Sequence, residues 1–135
     1  MQSVKMAGRL FLVQTDCSDT KQMKSWLNTA VSHYGRLDGM VNNAGIGQGG
    51  TPLHEYGMED YENIFDLNSK GVFAGMKYAA EAILRSHSQG GFLINVPLSQ
   101  EFCPSGGQAL YTATKFGVVG MTKAAALDYA LIILR

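Results

Sequence analysis

The sequence predicts an α/β fold built on a parallel sheet, and the prediction depends on three short apolar runs and on the helical patterns between them. Residues 10–13, 37–41 and 92–96 form the apolar runs, which are typical of strands covered on both faces. Helical periodicity follows each of them. Because alternating strands and helices are typical of right-handed crossovers between parallel strands, we expect ligands to bind beyond the carboxyl ends of these strands.

The first helical pattern covers residues 20–34. Ser18 or Asp19 can cap its beginning, and Gly35 is suited to end it. Apolar side chains recur at helical spacing along one side, at Met23, Trp26, Leu27, Ala30, Val31 and Tyr34.

Two longer helical patterns follow. The second begins near Met58 and stops before Gly90, with an apolar stripe at Val72, Met76, Ala79 and Ile83, and the third covers residues 109–130. No internal repeat, low-complexity tract or linker interrupts the chain. We therefore expect residues 1–135 to form one domain.

Composition excludes several classes of protein. Apolar residues make up 46% of the chain and charged residues 16%, which argues against disorder. Eleven basic and eleven acidic residues balance, so nothing favours a nucleic acid or an anionic membrane as partner. Cys17 and Cys103 suggest neither a disulfide framework nor a metal site, and no signal peptide or membrane span is visible. These features predict a cytoplasmic protein without a metal.

A glycine-rich loop follows the second predicted strand. Residues 45–50 match the dinucleotide fingerprint G-x-G-x-x-G, but Gly49, Gly50 and Pro52 keep the chain irregular where a genuine fingerprint opens into a helix. We therefore predict that this loop does not bind phosphate. Its small residues let the backbone lie against a flat ligand.

Tyr111 and Lys115 carry the clearest chemical signal. Residues four apart on a helix project from the same face, and a neighbouring ammonium lowers the pKa of a phenol. Such a pair can act as a tuned general acid or base. A tyrosine and a lysine at this spacing also arise by chance, so the pair alone proves little.

Several motifs together resemble the short-chain dehydrogenase/reductase family. They are Asp16, the run Asn42, Asn43, Ala44 and Gly45, then Asn68, and finally Tyr111 with Lys115. Order and spacing agree with that family from about Arg9 to Ala130. The resemblance implies a Rossmann-like doubly wound parallel sheet and hydride transfer between NAD or NADP and a small alcohol or carbonyl substrate.

The resemblance also implies a role for each matching residue. Tyr111 would exchange a proton with the substrate oxygen. Lys115 would lower the pKa of Tyr111 and hydrogen-bond the nicotinamide ribose, and Asn68 would support a water that continues the proton relay.

On the cofactor side, the resemblance places Asp16, with its neighbour Cys17, at the adenine. Asn43, Ala44 and Gly45 would line the adenosine ribose, and Asn42 would pin the sheet. The two long helices would form a homo-oligomer contact, as they do in the family.

The sequence departs from the family at the catalytic serine. The position thirteen residues before Tyr111 holds Leu98, which cannot donate a hydrogen bond to a carbonyl oxygen. Ser99 is the candidate replacement. Because successive residues of an extended segment point to opposite faces, Ser99 serves only if the loop slips by one residue.

The family's glycine-rich phosphate loop and second strand should precede Arg9, and further elements should follow Arg135. The sequence therefore predicts a Rossmann-like fold truncated at both ends, whose open edges would make the isolated chain poorly soluble or oligomeric. Two functions stay open: an NAD(P)-dependent oxidoreductase, or an inactive pseudoenzyme that serves as a dimerisation module.

Overall fold

A computed structural model describes residues 10–47, 49–86, 90–96 and 105–133 of the chain. The elements, in order, are helix α1 (Thr20–Tyr34), strand β1 (Gly39–Asn42), a 3₁₀ turn (Leu53–Glu55), helix α2 (Met58–Phe65), a π-helical segment (Asp66–Gly71), helix α3 (Val72–Arg85), strand β2 (Phe92–Asn95) and helix α4 (Ala109–Ile133).

Helix α1 has the bounds that its sequence pattern predicts. The Asp19 carboxylate accepts hydrogen bonds from the backbone N–H groups of Lys21, at 2.8 Å, and Gln22, at 3.3 Å, so Asp19 rather than Ser18 is the N-cap. Gly35 ends the helix in the left-handed conformation, with φ 83°, and its N–H donates to the carbonyl oxygen of Val31.

The sheet of the described residues has two parallel strands. β1 pairs with β2 in a register that sets Gly39 opposite Phe92 and Asn42 opposite Asn95. The predicted strand at residues 10–13 is wrong, because this segment is irregular and Leu10 is 96% exposed. In a doubly wound sheet with strand order 3-2-1-4-5-6, residues 10–13 would be the third strand and β1 the fourth, with the second and first strands between them. The described residues therefore offer this segment no neighbouring strand to pair with.

The core lies on one face of the sheet. Helices α1 and α3 pack there against Met40 of β1, and the buried cluster consists of Met23, Leu27, Met40, Ala74 and Ala79. On the opposite face Val41, Phe92 and Ile94 are about half exposed. The expectation that both strands are covered on both faces is therefore wrong for the described residues.

The second predicted helix is a continuous helical rod that consists of α2, the π-helical segment and α3. Its predicted apolar stripe, Val72, Met76, Ala79 and Ile83, is buried as expected. The π-helical segment between α2 and α3 is not foreseen by the pattern. It inserts one wider turn, a feature that is frequent at functional sites.

The glycine-rich loop after β1 stays irregular over residues 43–47 and 49–52, as predicted. The next helical turn begins only at Leu53.

Helix α4 is longer than predicted and packs through its middle onto α3, where Val118 joins Val72 and Met76 in a second apolar cluster. None of the helices in the described part of the chain combines the length and the apolar character that a membrane span requires.

Candidate active site

Asn68 is the centre of the polar contacts at the carboxyl end of β1. It lies in the π-helical segment and is fully buried. Its side-chain oxygen accepts a hydrogen bond from the N–H of Ile46 at 2.9 Å, and its Nδ2 donates to the carbonyl oxygen of Ile46 at 2.7 Å. This double hydrogen bond fixes the loop that follows β1 against the long helical rod.

Thr114 connects Asn68 to α4. Its buried hydroxyl accepts a hydrogen bond from Asn68 Nδ2 at 3.4 Å and donates to the carbonyl oxygen of Tyr111 at 2.7 Å. The π-helical segment, the loop after β1 and the first turns of α4 therefore form one hydrogen-bonded unit.

Tyr111 and Lys115 lie side by side on α4, as their spacing predicts. Both are buried, with exposed fractions of 5% and 6%, and Lys115 Nζ lies 5.3 Å from the centroid of the Tyr111 ring. Among the described residues, the Tyr111 hydroxyl has no hydrogen-bond partner although it is buried. A buried polar group without a partner is costly and calls for a functional explanation.

Burial raises the pKa of Tyr111, because removal from water penalises the phenolate. The direction is opposite to the lowering that Lys115 is expected to cause. The ammonium lies over the face of the ring, where it contacts the π-electrons. In this arrangement, desolvation determines the pKa of Tyr111.

Two glycines of the loop after β1 lie close to these side chains. A Cβ on Gly45 would lie 3.2 Å from Asn68 Oδ1 and 3.6 Å from Lys115 Nζ, and a Cβ on Gly47 would lie 3.6 Å from the Tyr111 ring. A larger side chain at either position would press on these neighbours. The two glycines thus let the loop backbone lie close to Asn68, Tyr111 and Lys115.

Asn42 joins the two strands, as the family resemblance implies, through partners that the sequence does not reveal. Its Nδ2 donates to Asn95 Oδ1 at 2.8 Å, and Asn95 Nδ2 donates to Thr122 Oγ1 at 2.8 Å. The chain of amides joins β1, β2 and α4. Gly75 of α3 packs so tightly on Asn42 that a Cβ at Gly75 would overlap its side-chain oxygen.

Asp16 and Cys17 lie at the turn before α1. The Asp16 carboxylate accepts hydrogen bonds from the N–H of Ser18, at 2.9 Å, and from its hydroxyl, at 2.7 Å, and these bonds hold the pKa of Asp16 below its usual value. The carbonyl oxygen of Cys17 packs on Gly71 so closely that a Cβ there would overlap it. Burial raises the pKa of the Cys17 thiol.

The structure brings Asn68, Tyr111, Lys115 and Gly45 together, and Cys17 contacts the same π-helical segment through Gly71. Asn43 and Ala44 are exposed beside Gly45, at the carboxyl end of β1. The sequence departure at Leu98, and Ser99 with it, lies outside the described residues. Within the described ranges, no group of three acidic, histidine or cysteine side chains could hold a metal ion.

Sequence reasoning missed the π-helical segment, the double hydrogen bond to Ile46, and the role of Thr114. For Thr114 a signal existed, since it lies three residues after Tyr111 and so on the same side of α4. It also missed that the buried unpartnered polar atoms of the described residues lie close together in sequence, on Gln108, Tyr111 and Thr112.

Comparison with known proteins identifies the family. The family model described as short chain dehydrogenase matches residues 1–132. The chain therefore belongs to the short-chain dehydrogenase family, whose members are oxidoreductases with a Rossmann fold that use NAD or NADP.

Individual relatives agree with this assignment. A 3-oxoacyl-(acyl-carrier-protein) reductase of Staphylococcus aureus is 37% identical over 120 residues, which are 89% of this chain and 48% of that reductase. Glucose 1-dehydrogenase 2 of Bacillus subtilis is 32% identical over 123 residues, which are 91% of this chain and 47% of that enzyme.

A metagenomic short-chain oxidoreductase solved in complex with NADP superposes with a TM-score of 0.80 at 27% identity, covering 87% of this chain and 52% of that structure. The chain thus spans about half the length of the relatives that it matches.

Proposed function

We propose that the chain binds NAD or NADP and takes part in hydride transfer between the nicotinamide and a small alcohol or carbonyl substrate. The observation that carries the proposal is the Tyr111 hydroxyl, which is buried beside Lys115 and the glycine-rich loop and has no hydrogen-bond partner among the described residues. Such a group fits a site where a ligand oxygen supplies the missing partner.

The residues present fit a nicotinamide cofactor. Gly45 and Gly47 carry no side chain that would cover Lys115 and Tyr111, so backbone groups of the loop can approach a ribose bound beside them. Asn43, Ala44 and Gly45 would contact the ribose with backbone groups, Lys115 would bind it with its ammonium, and Asp16 and Cys17 would lie toward the adenine. When bound, the nicotinamide supplies or accepts the hydride.

The chain's own residues would hold and move the proton. With its pKa raised by burial, the Tyr111 phenol stays protonated at neutral pH and can donate to a carbonyl oxygen as that oxygen gains charge. The ammonium of Lys115, over the ring, would stabilise the phenolate that remains. Asn68 would support the relay by holding the loop at Ile46 in place, and Ser99 would replace the missing serine.

An alternative is a catalytically inactive chain that pairs with itself or with relatives through α3 and α4. Leu98 at the serine position favours it, as do the large apolar side chains that these helices expose: Phe73, Leu84, Phe116 and Leu127. Light scattering of the purified chain tests the pairing. A concentration-independent monomer would remove the support for it. Oligomeric state and cytoplasmic location stay predictions.

The enzyme proposal is tested with two single variants at the serine position. Turnover of NADH and NADPH with ketone substrates is measured for wild type, Leu98→Ser and Ser99→Ala. If Leu98 leaves the oxygen without a donor, Leu98→Ser should raise turnover by about 10²- to 10³-fold. If Ser99 already donates, Ser99→Ala should lower turnover by a similar factor.

Folding of each variant is checked by circular dichroism. Background turnover in all three folded proteins would overturn the enzyme proposal.

A further inference from the structure

The Thr114 hydroxyl belongs to a closed ring of contacts that begins and ends at Tyr111. It donates to the carbonyl oxygen of Tyr111 at 2.7 Å and accepts from Asn68 Nδ2 at 3.4 Å. Asn68 binds both backbone groups of Ile46, at 2.7 and 2.9 Å. The next residue, Gly47, lies beside the Tyr111 ring, since a Cβ there would be in ordinary contact with the ring at 3.6 Å. One hydroxyl thus connects the backbone of Tyr111 to the loop that lies on its ring.

The polar side chains of this ring are buried. Thr114 and Asn68 have exposed fractions of 0%, and Tyr111 has one of 5%. A threonine hydroxyl carries one proton, and here Tyr111 receives it, so the lone pairs of the oxygen accept from Asn68. Valine has nearly the same shape as threonine but can neither donate nor accept. In its place, an N–H of Asn68 would lose one of its partners inside the protein, which is costly.

Thr122 makes the same pair of hydrogen bonds about two turns further along α4. Its hydroxyl accepts from Asn95 Nδ2 at 2.8 Å and donates to the carbonyl oxygen of Val118 at 2.7 Å. Val118 belongs to the apolar cluster between α3 and α4 and not to the candidate active site. Thr122 therefore shows what such a hydroxyl contributes to the packing of α4 alone.

We propose that Thr114 is a positioning residue, whose hydroxyl holds the glycine-rich loop against Tyr111 and thereby shields the phenol proton from water. Its importance for proton transfer rests on the proposed oxidoreductase function, whereas the shielding can be measured without turnover. A shielded proton passes to a bound carbonyl oxygen and does not leak to the solvent. Thr114 would act through Tyr111 and Asn68 and would touch no substrate itself.

Exchange of the Tyr111 hydroxyl proton with water tests the shielding directly. The 135-residue chain is labelled with ¹³C at the ζ carbon of its tyrosines, and NMR spectra are recorded in an equal mixture of H₂O and D₂O. Slow exchange gives separate Cζ signals for the protonated and the deuterated hydroxyl, whereas fast exchange gives one averaged signal. The signal of Tyr111 is the one that disappears in Tyr111→Phe. Wild type should show separate signals for Tyr111.

Variants at Thr114 separate its hydroxyl from its shape. Thr114→Val should raise the exchange rate by about two- to tenfold, as expected when one neutral hydrogen bond no longer holds the loop. Thr114→Ser keeps the hydroxyl and should keep the wild-type rate. Should Thr114→Val not fold, Thr114→Ser and Thr114→Ala differ only in the hydroxyl and give the same comparison.

Thr122→Val is the matched control, because it removes the equivalent pair of bonds away from Tyr111. It should leave the exchange rate at Tyr111 unchanged. An equal increase in Thr114→Val and Thr122→Val would show a general loosening of α4 and would overturn the inference. An averaged Tyr111 signal in folded wild type would overturn it as well.

The outcomes also separate this inference from the oxidoreductase proposal. Slow exchange that depends on the Thr114 hydroxyl, in a chain without any turnover, would uphold the shielding and refute the oxidoreductase proposal. Turnover together with equal exchange rates in wild type and Thr114→Val would overturn the inference alone.

Discussion

The first turns of α4 bury polar side chains, whereas its second half exposes apolar ones. Tyr111, Thr114 and Lys115 are nearly or fully buried in the first turns, while Leu127 is 72% exposed. Beside the second half lies a groove of about 680 Å³ between α3, β2 and α4. Each half reverses the usual distribution of polar and apolar groups.

The two reversals have different physical meanings. Thr114 is satisfied by hydrogen bonds, whereas the Tyr111 hydroxyl has no partner within residues 10–47, 49–86, 90–96 and 105–133, so the first turns offer a polar position to a ligand. Exposed apolar surface lowers its free energy when it is covered, so the second half favours association.

Tyr111→Phe should lower turnover by about 10²- to 10⁴-fold, because it removes the proton donor. The free energy of unfolding should stay equal or rise, since the lost hydroxyl has no partner in the described chain. Urea titration and steady-state rates measure the two effects.

Tyr56→Phe is the matched control. Its hydroxyl donates to Gly107 at 2.9 Å, so this variant should lose about 1 kcal/mol of stability. If Tyr111→Phe is the more destabilised of the two, the Tyr111 hydroxyl is structural and the first turns of α4 offer no polar position to a ligand.

Asn68→Leu should lower the free energy of unfolding by about 2–4 kcal/mol, because it leaves both backbone groups of Ile46 without their partner. Asn63→Leu, the same change at an exposed position of α2, should stay within about 0.5 kcal/mol of wild type. Equal unfolding midpoints in urea for the two variants would contradict the role of Asn68.

Gly75→Ala should cost about 1–3 kcal/mol, since its Cβ would overlap Asn42 in a packed core. Gly120→Ala makes the same change on α4, where a Cβ meets nothing within 4 Å. There alanine should stabilise the helix by about 0.5–1 kcal/mol. Thermal unfolding should therefore shift in opposite directions, and shifts of the same sign would count against the packing at Asn42.

The raised pKa of Tyr111 predicts a loss of stability at high pH. The folded chain holds the phenol proton more tightly than the unfolded chain, whose tyrosines titrate near pH ~10. The stabilisation is complete below that pH and is lost as the pH rises through the higher folded pKa. Urea midpoints from about pH 9 to 11 should fall more for wild type than for Tyr111→Phe. Parallel curves would show that the phenol is not desolvated.

Leu127→Lys should change the free energy of unfolding of the monomer by no more than about 0.5 kcal/mol, because Leu127 is mostly exposed. It should reduce self-association, which light scattering reports. Unchanged association would show that the second half of α4 does not form the contact.

The sequence predicted much of this molecule. Its predictions failed where contacts between residues far apart in the chain determine the local structure. Helix α1 followed from local signals, Asp19 and Gly35 at its ends and an apolar stripe between them. The pairing of Tyr111 with Lys115 followed from helical spacing. The strand at residues 10–13 failed because an apolar run becomes a strand only beside a partner, and the described residues supply none.

The direction of the Tyr111 pKa shift depends on burial and on where the Lys115 ammonium lies relative to the ring, and spacing specifies neither. The π-helical segment likewise depends on the tight contact between Gly71 and Cys17 and on the hydrogen bonds of Asn68, which join residues far apart in the chain. No local pattern encodes those contacts.

The most direct test of the account is nucleotide binding to the purified 135-residue chain. NADH and NADPH are titrated while their own fluorescence is followed, with wild type and with Gly45→Val, whose Cβ would lie 3.2 Å from Asn68 Oδ1 and 3.6 Å from Lys115 Nζ. Wild type should bind at least one of the two nucleotides saturably, and Gly45→Val should bind it at least about tenfold more weakly. Absence of binding by a folded wild-type chain, or equal binding by both proteins, would contradict the proposed function.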